Sequence, residues 1–82
     1  MGQLMIAKVT ESPLFPGIHW VIKERVDNDR EHGWYLYLFK TLSPGCDGDL
    51  YYQDIEVLNC QMREDWGVMP EDWAPYEGPD IR

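Results

Sequence analysis

Carboxylates at alternate positions are the first groups in this chain that could do chemistry. Asp27, Asp29 and Glu31 repeat like the opening ligands of a calcium loop, and a hard cation needs several such oxygens converging on one point. The rest of that loop is missing: His32 stands where the sharp turn demands Gly, and Leu38 where a bidentate Glu would close the sphere. The segment therefore reads as a solvated hairpin tip. Asp47, Asp49 and Asp54 make a second acidic set, which would suit Mg²⁺ or Ca²⁺ in a small metal-dependent enzyme, but two of them flank Gly48 and turn chemistry accounts for all three. His19 and His32 are the only histidines, and Cys46 and Cys60 the only cysteines. None has ligand or redox spacing, nothing supports pairing Cys46 with His19 or Cys60 with His32 as a nucleophile, and both cysteines read as free thiols. Phosphate loops, a serine elbow and zinc-finger spacing are absent. The chain reads as non-catalytic, and no cofactor or metal is implied.

Recognition is the remaining chemistry. Trp66, Met69, Trp73 and Tyr76 lie in an acidic, proline-punctuated stretch, and aromatic residues with Met inside a polar rim are the composition of a binding hot spot. The competing reading is that these rings complete a small core, since each can bury a large area. Fifteen acidic against seven basic side chains give a net charge of −8. Such a surface repels phosphate backbones and anionic lipid, so neither nucleic acid nor membrane is expected as a direct partner. The same acidity admits a second function, a nucleic-acid mimic that occupies the site of a basic protein. No apolar run approaches the ~18 residues of a membrane span, and the N-terminus lacks a secretory pattern. A cytoplasmic protein is expected.

The elements that would position these groups are strands. An 82-residue chain has room for one domain, and its four Trp, five Tyr and two Phe supply the buried area that a small β domain needs. The run LMIAKV (residues 4–9) places Met5, Ala7 and Val9 on one side of a first strand. Pro13, Pro16 and Gly17 break the segment after it, although Leu14 and Phe15 could fold over one end of the core. Residues 18–26 form a second strand, and the polar residues 27–33 turn the chain into an antiparallel third. That third strand, GWYLYLF (33–39), is apolar on both faces, which requires a barrel interior or a covering segment. SPGCDGD (43–49) is the clearest turn; residues 50–52 make a fourth strand and 55–60 a fifth, with Ile55 and Val57 facing one way. From residue 61 the composition changes, and Pro70, Pro75 and Pro79 exclude a strand. Acids and Pro at residues 69–73 admit one short helical or 3₁₀ turn, and Trp66, Trp73 and Tyr76 are expected to cover the outer face of the Trp34/Tyr35 strand.

Five short strands ending in LYYQDIEVL (50–58) resemble an SH3-like small β-barrel, in which an aromatic pair, a 3₁₀ turn and an apolar closing strand succeed one another. With WYLYLF ahead of it, the pattern is similar to small proteins of tailed phages and marine environmental sequences. The resemblance implies an all-β barrel of about five antiparallel strands over residues 1–60, carrying the irregular acidic extension 61–82 packed upon it. The Trp-Trp pair that grips proline helices in signalling members is absent, so that specificity does not carry over. What remains is a protein-binding module with an unidentified protein partner, and unpaired strand edges that would also allow a homodimer.

Overall fold

Alternation of side chains across an extended backbone lets one sheet carry two apolar faces in this chain. The computed structural model describes residues 4–9, 17–27, 30 and 32–82. Asp29, Glu31 and the proline-containing segment with Leu14 and Phe15 lie outside them. Strands β1 (Leu4–Lys8), β2 (Trp20–Asp27), β3 (His32–Phe39) and β4 (Gly48–Tyr52) pair antiparallel in succession. The hairpin expected between the second and third strands is present, with Asp27 opposite His32 and Trp20 opposite Phe39. Met5, Ala7, Val21, Trp34, Leu36, Leu38, Leu50 and Tyr52 face one side, the helix face. Leu4, Ile6, Trp20, Ile22, Tyr37 and Phe39 face the other, the strap face.

The segment expected as a fifth strand is a helix. Helix α1 (Ile55–Gln61) runs directly into a π-helical turn, Met62–Trp66. Ile55, Leu58, Met62 and Trp66 all join the helix-face core, a spacing of three and four residues that belongs to a helix and not to a strand. Asp54 starts the helix: its backbone is extended and its carboxylate accepts the Glu56 N–H at 2.9 Å. Gly67 ends it in the left-handed region at φ 67°, where its N–H and that of Val68 both bond back to the Met62 carbonyl. Within residues 55–60 alone the alternation of Ile55 and Val57 looks extended; Met62 and Trp66, beyond that window, complete the helical spacing that overrules it.

After the helical segment the chain crosses the sheet edge. A 3₁₀ turn at Pro70–Asp72 is closed by the Met69 N–H donating to the Asp72 carboxylate at 2.9 Å, as residues 69–73 suggested. Ala74–Pro75 then pairs with β1 as β5, a two-residue strand in a stretch where none was expected. From there residues 76–82, the strap, run across the strap face. Tyr76 N–H donates to Leu4 O at 2.9 Å, Gly45 N–H to Ile81 O at 2.9 Å, and Ile81 closes a cluster with Ile22 and Phe39. The chain after β4 therefore covers both faces of the sheet, Ile55 through Trp73 on one and Tyr76 to Arg82 on the other. That is why β3 is apolar on both sides.

The sheet is all antiparallel but open, in the order β4-β3-β2-β1-β5, and is not the closed barrel that the sequence suggested. Closure needs a strand to bridge β4 and the far edge. The residues after β4 form a helix, and β5 is two residues long with a proline that has no N–H to donate. Covering from both sides replaces curling as the way to bury two apolar faces.

Candidate functional site

The four residues expected to bind do not share one surface. Trp66 is 1% exposed and Trp73 9% exposed, both in the helix-face core with Ala7, Val21 and Leu36. Tyr76 is half-buried on the opposite face, its hydroxyl donating to Pro79 O at 2.6 Å. Met69 alone stands in solvent, 38% exposed at the start of the 3₁₀ turn. The acidic sets have local tasks. Asp47 accepts the Lys40 N–H at 2.7 Å across the β3–β4 turn, Asp54 caps α1, and Asp27 lies 2.7 Å from His32 Nδ1. Asp49 is exposed on β4. Among the described residues, no three of His, Cys, Asp and Glu converge as a metal site would require. His19 Nδ1 lies 3.1 Å from Lys40 O; Cys46 and Cys60 are unbonded to each other and half-buried.

Two charged groups lie against aromatic rings. Lys23 Nζ sits 4.3 Å from the Trp73 ring centroid and 5.3 Å from that of Trp34, and burial lowers its pKa. Its compensation is the faces of two indoles. On the strap face the Arg82 guanidinium bonds Asp80 (Nε to Oδ1, 2.9 Å), pairs with Glu24 and lies 5.7 Å from the Tyr37 ring centroid. Tyr37 donates to Glu24 Oε1 at 3.2 Å; burial, then the Glu24 charge, raises its pKa. Arg82 hydrogen bonds hold the Asp80 carboxyl down at about 2. This network fastens the strap to β2 and β3.

The strap leaves Tyr51, at the β3–β4 corner of its face, exposed. There Tyr35 stacks on Tyr37 at 6.1 Å and meets Tyr51 of β4 at 5.1 Å. Tyr51 is 41% exposed, and its hydroxyl donates to His32 O at 3.0 Å. Gly33 makes this possible: a Cβ there would stand 2.6 Å from Tyr51 Oη and 2.5 Å from Tyr52 O. The tyrosine corner adjoins the outer edge of β4, whose only strand neighbour among the described residues is β3. Beyond it, residues 41–62 contain Asp47, Asp49, Asp54 and Glu56 and no Lys or Arg. All four acids are exposed.

Sequence reasoning missed this corner. Tyr35 and Tyr37 were legible as one face of a strand, but nothing local says that Tyr51 stands opposite Tyr35 in the register or that β4 ends the sheet. Among the described residues no helix is long and apolar enough to cross a membrane. The chain matches no protein-family model, no curated protein and no solved structure.

Proposed function

We propose that this chain is a non-catalytic protein-interaction module that engages its partner along the outer edge of β4 and the tyrosine corner beside it. One observation carries the reading: the two edges of the sheet are unequal. The β1 edge is closed by a two-residue strand containing Pro75, whereas β4 presents five residues without proline and with Leu50, Tyr51 and Tyr52 among them. Natural sheets blunt their edges with prolines, bulges or cover, so an edge left plain invites a partner strand. The adjacent rings suit a protein surface, because tyrosine supplies contact area at low entropic cost. Acidic mimicry has less support: the carboxylates are spread over β2, β4, the helical segments and the strap instead of forming one array.

A photo-crosslinking residue placed at Tyr51, with a control at exposed Val57 on α1, tests the reading in the natural host. A discrete adduct from position 51 and none from 57 is the expected result. Equal labelling from both positions, or adducts only from 57, would move the binding surface off β4.

A further inference from the structure

The chemistry along β4 specifies what kind of strand fits it. Alternation puts Gly48, Leu50 and Tyr52 toward the helix face, where Leu50 and Tyr52 are half-buried against the core, and puts Asp49 and Tyr51 toward the strap face, both exposed. A strand added outside β4 would continue both faces. On the helix face its side chains would meet Leu50, Tyr52 and the start of α1; on the strap face they would meet the Asp49 carboxylate and the Tyr51 ring. Directly opposed residues on neighbouring strands interact most strongly as apolar pairs or as opposite charges. A cation beside Asp49 is also placed against the exposed ring of Tyr51.

Resting on the protein-interaction reading above, we propose that the occupant of this edge is an extended basic segment of another protein, with apolar and Lys or Arg side chains at alternate positions. Charge selects it over a second copy of this chain. Pairing β4 with β4 would bring Asp47, Asp49 and Asp54 of each copy onto one seam, between two molecules each carrying −8. A basic strand meets the same acids as counter-charges, and residues 41–62 offer it no repelling Lys or Arg.

Titration of the ¹⁵N-labelled full chain with short capped peptides of alternating Lys and Val, Thr and Val, or Glu and Val tests the proposal. Amide shifts should centre on Gly48–Tyr52, and the Lys peptide should bind about tenfold more tightly than the Glu peptide at low salt, a preference that added salt erodes. In an Asp49→Lys variant, which alters an exposed side chain and leaves the core untouched, that preference should shrink sharply. If Thr or Glu peptides occupy β4 as tightly as Lys peptides, the basic specificity is overturned while the edge remains a docking site. Concentration-dependent shifts on β4 without peptide would make the occupant a second copy and overturn the proposal. Shifts confined to other residues, or none with any peptide, would remove the edge as a binding surface as well.

Discussion

Ile81→Ala isolates the claim that the strap is part of the fold. Ile81 is 5% exposed and completes a cluster whose other buried members among the described residues are Ile22 and Phe39. Truncation removes three carbons from that cluster, about 2.4 kcal/mol at ~0.8 kcal/mol per buried methylene. The cavity it leaves lies under a segment of irregular chain that can settle inward, so the total should fall near the low end of the range for large-to-small changes, about 2.5 kcal/mol. A chain of this length is expected to have ~4–12 kcal/mol in all. At ~4–8 °C per kcal/mol for a domain of this size, Tm should fall by about 10–20 °C. Thermal unfolding followed by tryptophan fluorescence and far-ultraviolet dichroism together checks this, with Leu58→Ala as a core reference on the opposite face. A drop of less than about 3 °C, in a protein where Leu58→Ala is strongly destabilising, would refute the argument. The strap would then be a detachable cover, and the strap face beneath it, in place of the β4 edge, would be the surface to examine for binding.

Four more outcomes follow from the same contacts. Gly33→Ala drives a methyl into Tyr51 and the Tyr52 carbonyl, so it should cost about 1–3 kcal/mol in urea unfolding, and removing the Tyr51 ring as well should recover only part of the loss. Asp54→Ala should cost ~1 kcal/mol through the lost α1 cap, with the urea m value unchanged. Because Asp80 titrates at about 2 in the fold against an ordinary 3.8, its contribution is present above the ordinary value and is lost as pH falls from there toward 2; stability measured across that window should be flatter in Asp80→Asn. Lys23 has the opposite origin and the same sign of slope. Burial lowers its pKa from 10.5, so the unfolded chain holds the extra proton and stability should rise as pH climbs toward 10.5, a component that the difference between wild type and Lys23→Met isolates.

The parts of this fold that were readable in the sequence are those decided by nearest neighbours. The β2–β3 hairpin is written in the polar residues between two apolar runs, and the two-sided character of β3 already demanded a cover. The placing of Trp66 and Trp73 against the Trp34 strand follows from the cost of leaving such rings in water, whereas Tyr76, expected beside them, lies on the opposite face of the sheet. What failed was residues 55–61, where Ile55 and Val57 on one parity look like a strand and only the continuation through Leu58, Met62 and Trp66 reveals a helical stripe. β5 was hidden for a different reason. Two residues with a proline carry no strand signal, and Ala74 and Pro75 pair because the chain must pass the β1 edge on its way between faces.

The same helix decides the site. Had residues 55–60 extended, they would have been available to pair beside β4 or to close a barrel, and Leu50, Tyr51 and Tyr52 would lie inside the sheet. Asp54 turns the chain out of the sheet plane immediately after Tyr52, the apolar stripe from Ile55 to Trp66 is drawn over the helix face, and β4 is left as an edge. Being an edge is a property of where the following segment goes, so no reading of residues 48–52 alone could find it. The binding surface proposed for this chain is thus a consequence of one cap and one helical stripe, and Asp54→Ala should disturb the order of the β4 edge through α1 before it disturbs the β2–β3 hairpin, an effect that residue-by-residue hydrogen exchange reads directly.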